Sequence, residues 1–220
     1  GATVATAGAA AGAYAAVRGF TAASRVAREY EFALSRVRAL TQATEEDMAK
    51  LDEQAQALGR STVFTATQAA EAQQAFALAG FDANQILAAT PPTLRLAAAG
   101  KIELGEAALI TSRIMAGMKI EADDVGGAVD QLAAAFTNAN TALSELGTAM
   151  SFVGPIANAA NKDLGETVAV LQALANAGFN GEKGGTAFRQ ILIKLTNTTG
   201  EAKAELERLG IELLDEAGTL

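Results

Sequence analysis

The sequence predicts an all-α protein, in which a long N-terminal helix is followed by repeated αα-hairpins. Half of the 220 residues are apolar, and much of that half is alanine, which favours helices and close helix packing over a bulky core. Only three prolines occur, and capping residues and glycines recur along the chain. One helix–turn–helix phrase, Ala-Gly-Phe followed by Gln-Ile-Leu, occurs near residue 80 and again near residue 178.

Residues 1–43 are predicted to form one long, alanine-rich helix with a heptad seam. Apolar residues there recur at alternating spacings of three and four for more than three heptads, without a proline. Half of the seam is alanine, so self-association and packing against the chain's own body both remain open. The predicted interaction seam comprises Phe20, Ala27, Tyr30, Leu34 and Val37, together with Ala13, Ala16 and Ala23.

Residues 44–199 are predicted to form a core of helical hairpins. Thr44 begins the first helix of this core, and Thr65 with Gln68 forms a capping-box pair for the next. That helix is predicted to end at Gly80, and Asp82 is the expected N-cap of its successor.

Four glycines are predicted to mark the turns of these hairpins. Gly80, Gly117 and Gly154 are each 37 residues apart, and Gly178 follows after 24. The spacing predicts an αα-hairpin used about four times, whose apolar face is buried only when neighbouring hairpins stack. The last interval departs from this period.

Two further boundaries follow from local signals. Pro91 and Pro92 predict that a helix from about Ala83 stops near Ala89 and restarts at Pro92 or Thr93. Residues 200–220 are predicted to contain a short helix stopped by Gly210, then a strand and a turn that begin a small β element. Ending on a turn suggests that the chain is part of a longer protein.

The composition argues against a catalytic or metal-binding site. The chain has no histidine and no cysteine, which removes the commonest metal ligands and the usual neutral-pH acid and base. The clusters Glu45–Asp47 and Asp123–Asp124 stand where helices begin, and a structural role there is the better interpretation. Lys183 lies in a glycine-rich stretch that lacks the Lys-Ser/Thr pair of a phosphate-binding loop. No catalytic, cofactor or metal site is predicted.

The charge and hydropathy of the chain indicate whether nucleic acid or a membrane could be a partner. The net charge of −8 argues against nucleic acid as the main partner of the whole chain. Five arginines against two glutamates give residues 1–40 a charge of +3 and leave −11 on residues 41–220. This basic arm leaves transient contact with DNA or an anionic membrane surface open. The uncharged run Gly1–Val17 is short and mostly alanine and glycine, so a packing helix is favoured over membrane insertion.

From about Tyr30 to Leu220 the chain resembles the core region of phage tail tape measure proteins of the TP901 type. The resemblance rests on blocks that follow one another in the expected order, of which Ala-Gly-Phe followed by Gly-Gly-Thr-Ala-Phe-Arg is the most specific. Gly184 departs from the family's more usual wording, Ala-Gly-Thr-Ala. The other blocks are EYEFALSRVRALTQAT, LDEQAQALGRSTVFTATQAAEAQQAFALAGFDANQIL, MSFVGPIANAA and LERLGIELLDEAG.

The resemblance implies a non-enzymatic structural protein in the lumen of a phage tail tube, made in the host cytoplasm and carried in the virion. It would template polymerisation of the tail tube protein so that tail length follows its own length. By resemblance, its partners would be the tail tube protein, a tail assembly chaperone and baseplate or distal tail proteins. A homo-oligomer is expected as well. Two other classes remain open, a helical-repeat binding module and a membrane-active helical protein acting during DNA delivery.

Overall fold

The computed structural model describes residues 2–121, 124–139, 141–196 and 208–209, with side chains from Thr21 onward apart from Ala22. Apart from a 3₁₀ residue at position 124, the regular structure in these ranges is α-helix and includes no strand, which confirms the predicted all-α class. The predicted strand and turn after Gly210 lie outside the described residues. The helices are α1 Ala2–Thr41, α2 Glu45–Ser61, α3 Ala66–Leu78, α4 Ala83–Gly100, α5 Leu104–Met118, α6 Val125–Thr137, α7 Leu143–Ala159, α8 Leu164–Asn176 and α9 Gly181–Thr196.

The helices stack as antiparallel hairpins in two layers. The odd layer holds α1, α3, α5, α7 and α9 side by side, and the even layer holds α2, α4, α6 and α8. In the odd layer, α3, α5, α7 and α9 begin at Ala66, Leu104, Leu143 and Gly181, which are 38, 39 and 38 residues apart. The fold is therefore a stack of hairpins with a period of about 38 residues, close to the spacing of the first three glycines.

One type of turn closes several of these helices. A residue with positive φ follows the helix, and the next N–H donates to the carbonyl five residues back, as Phe81 does to Phe76 (3.1 Å) and Phe179 does to Leu174 (2.8 Å). Phe81 also stacks on Phe76, with ring centroids 5.2 Å apart. The positive-φ residues of these turns are Gly80, Lys101, Lys119, Asn161 and Gly178.

Two of the four predicted turn glycines do not lie in turns. Gly80 (φ +89°) and Gly178 (φ +88°) do, but Gly117 lies inside α5 and Gly154 lies in the middle of α7. Gly154 faces the α5 helix, because a Cβ added to it would lie 3.7 Å from the sulfur of Met118. The 24-residue interval has a simple origin, since it runs from Gly154, inside the odd-layer helix α7, to Gly178, which closes the even-layer helix α8.

The prediction that Pro91 and Pro92 interrupt a helix is wrong, because α4 continues through both prolines. Pro91 has no N–H to donate to the carbonyl of Leu87, four residues earlier. The side-chain amide of Gln54 in α2 donates to that carbonyl instead, at 2.7 Å. The hydroxyl of Thr90 donates to the carbonyl of Ile86 at 2.7 Å and ties the backbone of the same turn.

Side-chain amides of two other helices also donate to a backbone carbonyl of the neighbouring helix in the same layer. Asn158 of α7 donates to the carbonyl of Met118 in α5, and Gln172 of α8 donates to that of Ala135 in α6, each at 2.9 Å. Both acceptors lie in the last turn of their helix, where carbonyls lack intrahelical donors. These bonds span 40 and 37 residues, about one repeat, and so connect each hairpin to the next.

We expect Gln54→Ala to lower the free energy of unfolding by about 1–3 kcal/mol, because the carbonyl of Leu87 loses its donor. Gln54 also accepts from the buried amide of Gln73 at 3.2 Å, so the substitution disturbs two contacts. Urea denaturation measures the change. Gln190→Ala is the matched control, because Gln190 is exposed on the surface of α9. Equal effects of both substitutions would contradict this role of Gln54.

The core lies between the two layers, and glycines allow the odd-layer helices to approach closely. A Cβ on Gly147 of α7 would lie 2.8 Å from side-chain carbons of Ile110 in α5. A Cβ on Gly185 of α9 would lie 2.8 Å from the Cα of Ala149 in α7 and would meet the carbonyl of that residue. Among the largest side chains of the core are the fully buried Leu51, Phe76, Ile86, Leu104, Leu132 and Met150.

Candidate interaction site

The C-terminal part of the predicted seam packs against the chain's own body. Val37 is completely buried, and Tyr30 and Leu34 are half-buried beside α2 and α3. Ala33, which the heptad pattern missed, is 2% exposed. It packs with Ala55 of α2 and with alanines of α3, and these small side chains let the three helices approach closely.

Tyr30 anchors this contact with a hydrogen bond. Its hydroxyl donates to the carboxylate of Asp52 in α2 and lies 3.3 Å from the Asp52 carbonyl oxygen. Burial raises the pKa of Tyr30 well above its ordinary value, and the hydrogen bond to Asp52 and the charge of that carboxylate raise the pKa further. The phenol therefore remains a neutral donor at any pH near neutrality.

The N-terminal part of the seam does not contact the body in the described residues. Ala23 and Ala27 are exposed, and the side chain of Phe20 lies outside the described residues. The 38-residue repeat of the hairpins explains why only the C-terminal part of the seam is packed. A helix in register with α3 would begin 38 residues before Ala66, at residue 28. Residues 2–27, here called the overhang, continue α1 beyond the stack by about 39 Å at 1.5 Å per residue.

The outer face of the odd layer carries several large exposed apolar side chains. Phe32 and Leu40 of α1, Leu78 of α3 and Leu109 of α5 are 63%, 44%, 56% and 41% exposed. Two of them border a surface groove of about 500 Å³ between α3 and α5, here called the α3–α5 groove. It is lined by Ala75, Leu78, Ala79, Gly105, Leu109, Ser112, Arg113 and Ala116.

Carboxylates stand at the end of this groove where α5 begins. Glu71 lies one turn before Ala75 on the same face of α3, and Glu103 lies two residues before Gly105. Burial raises the pKa of Glu71, and the charges of Glu29 and Glu103 raise it further. No cation lies within 4.0 Å of the Glu71 or Glu103 carboxylates in the described part of the chain.

The acidic cluster after Thr44 and the glycine-rich stretch around Lys183 serve helix capping and helix packing. Thr44 caps α2 by accepting from the N–H of Asp47, and its hydroxyl lowers the pKa of the Asp47 carboxyl. Gly184 and Gly185, beside Lys183, are buried where α9 meets the preceding turn and α7. The described residues contain no group of three acidic side chains arranged to hold a metal ion. None of the helices described is both long and apolar enough to cross a membrane.

Comparison with known proteins identifies relatives of this chain. The model of a family described as phage-related minor tail protein matches residues 52–220. The chain is 32% identical over 203 residues to the tape measure protein of Pneumococcus phage Dp-1, which covers 92% of this chain and 18% of that protein. It is 33% identical over 172 residues to the probable tape measure protein of Escherichia phage P2, which covers 78% of this chain and 21% of that protein.

The matched region is a limited part of these relatives. The chain spans about a fifth of the length of the two curated relatives named here. No solved structure matches it. Family membership is therefore carried by the sequence match, and the surfaces described above come from the fold of this chain itself.

Proposed function

The chain belongs to the phage-related minor tail protein family, and we propose that it is the core of a tape measure protein that templates tail-tube assembly and sets tail length. The observation that carries this proposal is the similarity of most of the chain to tape measure proteins of two phages. The protein would occupy the lumen of the tail tube in the virion and the host cytoplasm during assembly. It would act without catalysis.

The physical properties of the chain support a structural role. Helix length follows residue number at 1.5 Å per residue, so an extended helix such as α1 can encode a distance directly. A stack of hairpins advances by only one helix spacing, about 8–10 Å, for each repeat of about 38 residues. Extended and stacked segments would therefore contribute very different lengths per residue to a ruler.

We propose the tail tube protein, a tail assembly chaperone and baseplate or distal tail proteins as partners, together with further copies of this chain. The exposed apolar side chains of the odd layer offer a surface for such contacts. The same α3–α5 groove favours a second candidate function, a helical-repeat module that binds another protein. The two functions differ in whether the residue count of the protein determines tail length.

Tail length tests the proposed function. An in-frame deletion in helical sequence outside residues 62–195 is expected to shorten the tail by about 1.5 Å per residue if the deleted part is extended, and by less if it is folded into hairpins. Deletions within residues 62–195, which carry the most specific blocks, are expected to block assembly. Electron microscopy of mutant particles measures both outcomes. Tails of unchanged length after a sizeable viable deletion would exclude the ruler and favour the binding module.

A further inference from the structure

The outer face of α5 carries an exposed leucine between two charges of opposite sign. Glu106, Leu109 and Arg113 follow one another at spacings of three and four residues, so they lie on one side of the helix, and all three are exposed. Leu109 borders the α3–α5 groove, and the half-exposed Leu78 of α3 borders it as well. Apolar side chains grouped on a surface in this way are typical of interaction sites.

The two charges beside Leu109 are not neutralised within the described part of the chain. No opposite charge there lies within 4.0 Å of Glu106 or Arg113. Glu71 and Glu103 add carboxylates to the end of the groove where α5 begins, and burial and neighbouring carboxylates raise the pKa of Glu71. The face is therefore negative where α5 begins and positive at Arg113, about 10 Å along the helix from Glu106.

A face with this order of charges is complementary to itself in one orientation. A two-fold axis that runs across the helices sets α5 antiparallel to α5 of a second copy, so that Glu106 of each copy meets Arg113 of the other. The midpoint between these two residues lies next to Leu109, so the two leucines then face each other between the ion pairs. A two-fold axis along the helices would instead place like charges against each other, which disfavours that orientation.

We propose that two copies of this chain associate through their α5 helices, antiparallel across the α3–α5 grooves, with Glu106 of each copy paired with Arg113 of the other. Small side chains line the rest of the groove and leave room for a leucine of the second copy. They are Ala75, Ala79, Gly105, Ser112 and Ala116. The contact rests on the homo-oligomer proposed above and not on the ruler, and it assigns the groove to a second copy rather than to an unrelated protein.

Sedimentation equilibrium of charge variants of the whole chain tests this contact. Glu106→Arg makes the net charge of −8 less negative, which by itself favours association, but it turns the proposed ion pair into a repulsion. We expect this substitution to raise the dimer dissociation constant about tenfold or more. The matched control is Asp130→Arg, which changes the net charge equally at an exposed position of α6 in the even layer. The control is expected to leave the dissociation constant unchanged or lower.

Mixing two variants decides whether the two residues meet each other. Arg113→Glu is expected to weaken the dimer as Glu106→Arg does, whereas an equal mixture of the two variants should associate more tightly than either alone, because each contact then joins opposite charges. Circular dichroism checks that both variants keep the helical fold.

Three results would overturn the proposal. They are a natural chain that is monomeric at every concentration, a dimer that Glu106→Arg does not weaken, and a mixture that associates no better than its components. A monomeric chain would leave the groove to an unrelated protein. Tail length measures the ruler separately, so loss of this contact and loss of the ruler are distinguishable.

Discussion

Replacing Gly185 by alanine is expected to destabilise the protein by about 2 kcal/mol, although alanine is the better helix former. The added Cβ would meet the backbone of Ala149, with its Cα at 2.8 Å, so that α7 and α9 would have to move apart. Backbone cannot rotate away as a side chain can, and overpacking of this kind typically costs about 1–3 kcal/mol or more. The clash therefore outweighs the gain in helix propensity of about 1 kcal/mol.

Gly127→Ala is the matched control and should have the opposite sign. Gly127 also lies within a helix, α6, but a Cβ there would have no atom within 4 Å. Helix propensity alone then applies, and we expect a gain of up to about 1 kcal/mol. Thermal and urea denaturation of both variants measure the difference. If both substitutions stabilised the protein, α7 and α9 would not approach as closely as described.

Val37→Asp is expected to cost about 3–5 kcal/mol, because it places an unpaired charge at a completely buried position. The affected contact joins α1 to α2 and α3, so the variant should lose the packing of Ala33 and the Tyr30–Asp52 hydrogen bond as well. Circular dichroism during denaturation measures the loss of stability.

Ala27→Asp changes the same predicted seam ten residues earlier, where the side chain is exposed. At protein concentrations where the chain is monomeric, we expect this substitution to change stability by less than about 0.5 kcal/mol. A large effect at residue 27 or none at residue 37 would show that the seam is not divided near residue 28.

Local signals in the sequence predicted local structure well. Thr44, Thr65 and Asp82 cap the helices assigned to them, because a capping bond involves residues only three positions apart. Pro91 misled the prediction because the compensating donor, Gln54, lies 37 residues earlier in another helix. No sequence pattern around Pro91 indicates that a side chain from another helix supplies this hydrogen bond.

The turns and the seam were predicted only in part, for related reasons. Lys119 and Asn161 adopt the left-handed conformation that the sequence assigned to Gly117 and Gly154. A different signal was present, since the residue two positions after Gly80, Lys101 and Asn161 is acidic and is the N-cap of the next helix. Glu121 follows Lys119 at the same spacing. The heptad pattern continues through α1 without a change. Contact of α1 with α2 and α3, however, depends on where the first hairpin begins, and that position follows from the 38-residue repeat of the whole stack.

The order of the helices in the two layers has a consequence for how the chain folds. Extensive contacts join only helices that are adjacent or two apart along the chain, and the described side-chain hydrogen bonds span at most 40 residues. Such a fold has a low contact order, so little entropy is lost in closing long loops before contacts form. We expect rapid refolding of the described helices, with no step that waits for α1 to meet α9.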